Sequence, residues 1–219
     1  MIKAVIFDFD GTLADTEPFH SAKRAEMLDE LGVTADNDFV GISLRTFWGG
    51  IVKSYNLNTG VEELAKRNLF EVAREVMASS VQPADGAIET LVKLTKKGFV
   101  LALASSSDRD YVEALLKHFG LDKYFKHTVC GDEVENLKPA PDIYLKACAL
   151  CGVSPCEAVS IEDSDAGMRS AKSAGLTSIG YRAENASVEQ SFAFSDYTAV
   201  SLREIPGIID SIQSKGEDK

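Results

Sequence analysis

The sequence predicts an α/β fold: a doubly wound, Rossmann-like parallel sheet with a small all-α helical bundle inserted after the first strand. Short apolar runs bounded by turn residues recur along the chain, and helical patterns lie between them. This alternation favours βαβ units and therefore a parallel sheet. The first two apolar runs are separated by roughly ninety residues, far more than one crossover helix needs, which indicates an insert.

The predicted strands are continuous apolar runs, as expected for strands that are covered on both faces. Four are clear and two, near Thr128 and Tyr197, are weaker. Two helices follow from their end signals: Asp108 caps one that Gly120 terminates, and Asp165 begins one that stops before Gly175. The clear strands cover residues 3–7, 99–104, 158–161 and 176–181, and the helices cover residues 108–119 and 165–174.

The insert contains two amphipathic helical patterns. The first covers residues 18–31 and stops at Gly32; the second covers residues 61–77. A segment with Ser, Pro and Gly, residues 79–87, closes the insert as linkers often do. We therefore expect a core domain of residues 1–14 and 84–219 and a helical insert of residues 15–83. The predicted apolar faces are Phe19, Ala22, Ala25, Leu28 and Leu31 in the first helix, and Val61, Leu64, Ala65, Leu69, Val72, Ala73 and Val76 in the second.

Composition restricts the function classes. The chain has 219 residues and a formal net charge of -11, and it lacks the clustered Lys and Arg of a nucleic-acid surface. No apolar run reaches the roughly 18 residues of a membrane span, and the opening residues do not resemble a signal peptide. We expect a cytoplasmic chain with neither nucleic-acid nor membrane partners. An acidic protein that binds an anion needs local positive charge, from a metal ion or a few cations.

The four cysteines predict free thiols. Cys148 and Cys151 have CxxC spacing, but a zinc site would require a second pair or nearby histidines, which this sequence does not offer. Reduced thiols in a reducing compartment are therefore expected, and the spacing alone does not exclude a role for the pair.

Polar residues follow the predicted strands at their carboxyl ends, where open α/β sheets bind ligands. Asp8 ends the first strand and Asp10 lies two residues later, with Gly11 and Thr12 next. Two carboxylates so close repel each other, and a bound cation or a shared proton relieves the repulsion. Oxygen ligands of this kind suit Mg²⁺.

Three later segments add to this group. Ser105 follows the second strand, Lys138 precedes Pro139 near a predicted helix start, and Glu162 and Asp163 end another strand. Each residue alone has an ordinary explanation: a turn, a helix cap or a surface charge. Together, behind successive apolar strands, they indicate a site for Mg²⁺ and phosphate.

The segments DFDGTLADT, ASSS, KPAPDIY and IEDSDAG resemble the four motifs of haloacid dehalogenase-like (HAD) hydrolases. The helical insert resembles the cap of the subgroup that contains β-phosphoglucomutase, phosphoglycolate phosphatase and small sugar phosphatases. The resemblance covers about residues 1 to 200. It implies a HAD-type doubly wound sheet, Mg²⁺ as cofactor and a small phosphorylated substrate.

The resemblance also implies roles for single residues. Asp8 is the nucleophile that forms an aspartyl-phosphate, Asp10 is the general acid and base, and Lys138 steadies the charge of the nucleophile and the phosphoryl group. The presence of Asp10 favours phosphate esters over dehalogenation. The implied phosphate-binding residues are Asp8, Gly11, Thr12, Ser105, Ser106 and Lys138, and the implied metal-binding residues are Asp8, Asp10 through its backbone carbonyl, Glu162 and Asp163.

Substrate candidates in the insert are Thr16, His20, Arg45, Trp48 and Lys53. His20 has an ordinary alternative as a satisfied polar residue, and Trp48 fits the core of the insert better than a substrate platform. The run Gly41-Ile42-Ser43-Leu44-Arg45 resembles a mutase cap motif with one additional residue before the arginine. That residue turns a helical side chain by about 100°, so the sequence favours a phosphatase over a phosphomutase.

Three functions therefore stay open. The first is a Mg²⁺-dependent phosphatase acting on a small phosphorylated metabolite, expected to be a sugar phosphate, and the second is a β-phosphoglucomutase-type phosphomutase. The third is a phosphorylatable, receiver-like signalling module, against which the paired aspartates and the large insert argue. We expect a monomer, and the sequence does not identify the metabolite.

Overall fold

The computed structural model of the chain describes residues 1–35, 43–182 and 191–217. Its six strands form one parallel sheet, which confirms the predicted fold class. All six predicted strands are present, including the two weaker candidates. The strands are β1 (Ala4–Phe7), β2 (Val100–Ala104), β3 (His127–Val129), β4 (Ala158–Glu162), β5 (Thr177–Tyr181) and β6 (Tyr197–Ala199).

The strand order is β3-β2-β1-β4-β5-β6, so the direction of winding reverses next to β1. Ala4 of β1 is aligned with Val100 of β2 on one side and with Ala158 of β4 on the other. In open α/β sheets a crevice forms beyond the carboxyl ends of the strands at such a reversal, and ligands bind there. The order therefore predicts a site at the ends of β1, β2 and β4.

Eight α-helices lie in the described part of the chain. Four correspond to helices that the sequence predicts, α1, α3, α5 and α7, with ends that differ by a residue or so. The other four had no predicted bounds. The helices are α1 (Glu17–Glu30), α2 (Leu44–Tyr55), α3 (Val61–Ala78), α4 (Ala87–Lys96), α5 (Arg109–His118), α6 (Asp142–Cys151), α7 (Asp165–Ala174) and α8 (Ile205–Glu217).

Both faces of the sheet are covered by helices. Side chains of successive strand residues point to opposite faces, and in β1 Val5 and Phe7 join a cluster with α4, α5 and α8. Ala4 and Ile6 join a second cluster with α6 and α7. The continuous apolar character of the strands follows from this double coverage.

Helices α1, α2 and α3 occupy the insert. Met27, Trp48 and Leu64, one from each helix, belong to a buried cluster of their own. The second half of α3 joins the cluster on one face of the sheet. The two chain crossings into the insert lie side by side, since the Ala84 amide donates a hydrogen bond of 2.7 Å to the Leu13 carbonyl. The division into two domains with the bounds given above stays a prediction.

The predicted apolar face of α1 is wrong in part. Leu28 is buried and Phe19 and Leu31 are half-buried, but Ala22 and Ala25 are exposed. The buried residues of the helix are His20, Lys23, Arg24, Met27 and Leu28. The helix can bury cationic side chains because partners are available for them. For example, the Lys23 ammonium lies 2.7 Å from a carboxylate oxygen of Glu75 on α3. In α3 the predicted face is buried, except that Val61 is only partly covered and Asn68 is added.

Two further observations concern the chain as a whole. In residues 1–35, 43–182 and 191–217, no helix combines the length and the apolar composition that crossing a bilayer requires. All four cysteines are free thiols, as predicted. Burial raises the pKa of the Cys148 thiol to about 11, which keeps this thiol protonated and unreactive at neutral pH.

Candidate active site

The polar residues predicted for the site meet at the carboxyl ends of β1, β2 and β4. Asp8 follows the last residue of β1, Ser105 follows the last residue of β2, and Glu162 is the last residue of β4. Asp163 comes next in the chain. Because the three strands are adjacent and parallel, their ends bring these side chains to one edge of the sheet.

Lys138 supplies the positive charge of the site. Its ammonium donates to Asp8 Oδ1 at 2.6 Å, to Glu162 Oε1 at 2.6 Å and to the Ala104 carbonyl at 2.8 Å. An ammonium has three protons, so all its donors are used. Burial alone would lower the pKa of Lys138, but Asp8 and Glu162 raise it above its ordinary value. The lysine is therefore a fixed cation.

Three carboxylates at this edge can hold a metal ion. One oxygen each of Asp8, Glu162 and Asp163 can be chosen so that all lie within 4.8 Å of one another. Gly11 makes room for them: its φ is +81°, and a Cβ there would lie 2.1 Å from Asp163 Oδ2. A Cβ at Gly167 would likewise meet the Glu162 carboxylate at 2.0 Å. An all-oxygen donor set of this kind fits Mg²⁺.

The surroundings of Asp8 also indicate a site for a cation. Burial raises the pKa of its carboxyl well above the ordinary value; Lys138 lowers the pKa, and Glu162 and Asp163 raise it further. One lysine therefore does not offset the burial and the two carboxylates. A cation among them would favour their charged forms.

Asp10 has different neighbours. Thr16 and Tyr111 donate to its Oδ1, each at 2.7 Å, and Ser107 donates to its Oδ2 at 3.0 Å. The Nε2 atom of His20 lies 3.7 Å from Oδ1. Burial would raise the pKa of Asp10, but His20 and the hydroxyls of Thr16 and Tyr111 outweigh it and lower the pKa.

The predicted phosphate-binding hydroxyls lie in the segments that follow β1 and β2. Thr12 is fully buried, and its hydroxyl has no hydrogen-bond partner within the described residues. Ser105 is buried and accepts a hydrogen bond from the Ser107 amide. Ser106 is half-buried, and its carbonyl oxygen lies 2.2 Å from the position that a Cβ of Gly131 would take. A buried hydroxyl without a partner is available to a ligand, since leaving it unpaired is costly.

The substrate candidates of the insert fall into two groups. Thr16 and His20 contact Asp10 as described. Trp48 is fully buried in the cluster of α1, α2 and α3, and Lys53 is exposed on α2. The geometry thus brings Thr16 and His20 to the site, whereas Trp48 and Lys53 lie elsewhere.

Arg45 links the insert to the core. Its guanidinium donates to Asp108 Oδ1 at 2.8 Å and to Asp108 Oδ2 at 3.2 Å, and it also binds both carboxylate oxygens of Glu62. Asp108 stands at the predicted N-terminus of α5, but its side chain makes no capping hydrogen bond, because it is engaged by Arg45. Of the motif before Arg45, Gly41 and Ile42 lie outside the described residues.

Sequence reasoning missed two tyrosines of the site. Tyr111 binds Asp10, and the Tyr144 hydroxyl donates to Glu162 Oε1 at 2.5 Å. Both lie on helices, at buried positions that helical periodicity assigns to the core. Their only signal was a polar atom on a core position, which requires a partner when buried.

A doubly wound parallel sheet with ionisable groups gathered at its strand ends, beneath a layer of helices, is the architecture of an α/β enzyme that binds its ligand at the switch point of the sheet. Residues 5–181 match the family model described as haloacid dehalogenase-like hydrolase. The chain belongs to the haloacid dehalogenase-like hydrolase family.

Individual relatives agree with this assignment. The chain is 32% identical over 182 residues to the fructose-1-phosphate phosphatase YqaB of Escherichia coli, which covers 81% of this chain and 95% of that protein. It is 30% identical over 192 residues to the β-phosphoglucomutase of Bacillus subtilis. That match covers 82% of this chain and 83% of the mutase. The crystal structure of CbbY from Rhodobacter sphaeroides in complex with phosphate matches this chain with a TM-score of 0.76 at 29% sequence identity. The match covers 94% of this chain and 96% of the CbbY chain.

One relative is much longer. The chain is 35% identical over 188 residues, 83% of its own length, to the chloroplastic protein SUPPRESSOR OF QUENCHING 1 of Arabidopsis thaliana, but this match spans only 18% of the plant protein.

Proposed function

We propose that this chain is a Mg²⁺-dependent phosphatase that hydrolyses a small phosphorylated metabolite, a sugar phosphate, through an aspartyl-phosphate on Asp8. The observation that carries the proposal is the contrast between two neighbouring aspartates. Asp8 lies among Lys138 and two further carboxylates, and Asp10 lies among hydroxyl donors. One surrounding suits a nucleophile beside a cation, and the other suits a group that exchanges protons.

In the first step a carboxylate oxygen of Asp8 attacks phosphorus in line with the leaving oxygen. The bond from phosphorus to the leaving oxygen breaks, and Asp10 gives its proton to that oxygen. The products of the step are an alcohol and the aspartyl-phosphate, with Asp10 left as a carboxylate. Lys138 offsets negative charge on Asp8 and on the phosphoryl oxygens.

In the second step Asp10 acts as a base. It takes a proton from a water molecule whose oxygen attacks phosphorus, and the bond from phosphorus to Asp8 breaks. Inorganic phosphate leaves, the Asp8 carboxylate is restored, and Asp10 is protonated again. His20 and the hydroxyl donors lower the pKa of Asp10, which favours the carboxylate that accepts a proton in this second step. The first step uses the opposite form, the carboxyl that Asp10 regains at the end of each cycle.

The residues that would hold Mg²⁺ are Asp8, Asp163 and the backbone carbonyl of Asp10, with Glu162 in support. Bound there, the ion would neutralise the oxygens of the phosphoryl group. Glu162 is fully buried, and its Oε1 is already held by Lys138 and Tyr144. Its main task is therefore to hold the lysine in place.

The pairing of Arg45 supports a phosphatase over a phosphomutase. A mutase must bind a second phosphate, which requires a cation in the insert. Here the Arg45 guanidinium is engaged by Asp108 and Glu62, and a second phosphate would have to displace both carboxylates. The named activity of the Escherichia coli relative supports a phosphorylated sugar as substrate. We further propose a monomer that works in the cytoplasm on this small substrate.

The test is a panel of phosphorylated metabolites, including β-glucose 1-phosphate with its bisphosphate activator, assayed with and without Mg²⁺. We expect free phosphate over many turnovers from at least one sugar phosphate, dependence on Mg²⁺, and no release by the Asp8→Asn variant. An isomerised sugar phosphate without free phosphate would instead identify a mutase. A single stable phosphorylation without turnover would contradict both enzyme functions.

A further inference from the structure

Tyr111 is a buried tyrosine at the site to which the steps above give no task. It lies in the first turn of α5, in the core part of the chain, and is 3% exposed. Its hydroxyl donates to Asp10 Oδ1 at 2.7 Å and lies 2.9 Å from His20 Nε2. Its ring packs edge-on against Phe9, with centroids 6.4 Å apart. Packing thus fixes the ring, and the ring fixes the position of the hydroxyl.

Within residues 1–35, 43–182 and 191–217, the hydrogen bonds donated to Asp10 leave one of its lone pairs open. A carboxylate offers about four lone pairs, two on each oxygen. Thr16 and Tyr111 use both lone pairs of Oδ1, and Ser107 uses one on Oδ2. The remaining lone pair of Oδ2 is where a proton can be held and exchanged with substrate. Without Tyr111 a second position, on Oδ1, would open, and the carboxyl could rotate away.

The donors of Asp10 come from both parts of the chain. Thr16 stands at the start of the insert, directly before α1, while Tyr111 and Ser107 belong to the core. His20 of α1 contacts the Tyr111 hydroxyl. Because the phenol gives its single proton to Asp10, the hydrogen bond between this pair requires a proton on His20 Nε2. Tyr111 is therefore a core residue that contacts both Asp10 and helix α1 of the insert.

We propose that Tyr111 is a positioning residue that holds the Asp10 carboxyl with its proton-bearing oxygen towards the leaving group. This inference rests on the proposed function, because it assumes that Asp10 protonates the leaving oxygen. In this role Tyr111 acts through Asp10, to which its hydroxyl donates. Its contribution is confined to the step in which a poor leaving group needs a proton.

The test uses two substrates that differ in this need. An alkyl phosphate, such as the best sugar phosphate of the panel, leaves as an alcohol and requires protonation, whereas p-nitrophenyl phosphate leaves as a stable phenolate. The parameter kcat/KM reports the steps up to formation of the phospho-enzyme. For Tyr111→Phe we expect kcat/KM to fall about 30-fold with the alkyl phosphate and less than about threefold with p-nitrophenyl phosphate. The larger loss is a part of the roughly 10²- to 10⁴-fold that general acid catalysis contributes.

The matched control is Tyr144→Phe, which also removes one buried tyrosine hydroxyl from the site but touches Glu162 instead of Asp10. It should lower kcat/KM for both substrates by the same factor. Equal losses for the two substrates in Tyr111→Phe, or no loss at all, would overturn the inference while the proposed function stands. Failure of the wild-type protein to hydrolyse either substrate would overturn the proposed function and the inference with it.

Discussion

At the scale of single residues, Asp8 and Asp10 are separated by one residue, yet their surroundings shift the pKa values of their carboxyls in opposite directions. The pKa of Asp8 is raised, chiefly by burial and also by two nearby carboxylates. The pKa of Asp10 is lowered, because His20 and two hydroxyls outweigh its burial. The backbone separates the two: Asp8 ends a strand and Asp10 enters a tight loop in which the Gly11 amide donates to the Ala14 carbonyl at 2.8 Å. Neighbouring residues of one type can therefore take different tasks.

Gly11 gives a test of the metal site at this scale. The change Gly11→Ala places a Cβ against Asp163, whose side chain must move. We expect the Mg²⁺ concentration for half-maximal activity to rise about 10- to 100-fold, as for residues that orient metal ligands. Thermal stabilisation by Mg²⁺ should weaken in parallel, which gives a readout independent of turnover.

The control for this change is Gly98→Ala. The φ of Gly98 is +86°, close to the +81° of Gly11, and nothing lies within 4 Å of an added Cβ there. Both variants should lose about 1 to 2 kcal/mol of unfolding free energy from the left-handed backbone, but only Gly11→Ala should change the Mg²⁺ dependence. The same Mg²⁺ dependence in both variants would remove Asp163 from the metal site.

At the scale of secondary-structure elements, α1 shows a helix that buries its cationic side. The Lys23 ammonium lies 2.5 Å from Glu26, 2.7 Å from Glu75 and 3.2 Å from Glu71. These partners raise the pKa of Lys23 above its ordinary value, against the effect of desolvation. Two of the three glutamates belong to α3, so the lysine joins two helices of the insert.

Lys23→Met tests this arrangement. The methionine keeps much of the volume but leaves the carboxylates without their common cation. We expect a loss of about 2 to 3 kcal/mol in the free energy of unfolding at pH 7, somewhat less than for a fully buried pair because the glutamates are partly exposed. Arg67 and Lys23 hold the pKa of Glu71 below its ordinary value, so the deficit should persist down to about pH 4 and shrink only below it.

Lys53→Met is the matched control, since Lys53 is an exposed helical lysine in α2 of the same insert. Its cost should stay below about 0.5 kcal/mol, as for ordinary surface substitutions. Urea unfolding at pH 7 and at about pH 3 measures both variants. Equal stabilities at pH 7 would show that the buried cation does not hold α1 to α3.

The same helices show which elements could be predicted from sequence. The strands were predictable because burial on both faces makes them largely apolar along their length, as in Ala4–Phe7. Helix α3 was predictable because its buried face is almost entirely apolar. In α1 the apolar pattern did not predict the buried face, since burial there depends on ion pairs with residues distant in sequence, such as Glu75. No local pattern contains that information.

For the site, position along the chain predicted the residues at strand ends. Asp8, Ser105, Glu162 and Asp163 converge because adjacent parallel strands end at one edge. Tyr111 was not predicted, because its partner Asp10 lies 101 residues away in the chain and its own surroundings are those of a core residue. Contacts of side chains across such distances depend on the packing of helices, which the strand pattern does not determine.

At the scale of the whole molecule, the insert packs against the core through the apolar second half of α3 and through polar contacts of α1 and α2. Arg45 of α2 binds Asp108, and His20 of α1 contacts Tyr111 next to Asp10. Both core residues belong to the segment that follows β2, directly after Ser105. The chain carries a net charge of -11, so the local cation Lys138 and the proposed Mg²⁺ are what would attract an anionic phosphate to this site.

The central claim is that Asp8 becomes phosphorylated, and trapping the intermediate tests it most directly. The Asp10→Asn variant should form the aspartyl-phosphate with p-nitrophenyl phosphate and Mg²⁺, because that leaving group needs no proton, but should hydrolyse it slowly. Rapid quenching followed by mass spectrometry should then find one added phosphoryl group, which borohydride reduction assigns to the peptide containing Asp8. The double variant with Asp8→Asn should carry none. A phosphoryl group on another residue, or turnover that does not require Asp8, would contradict the mechanism.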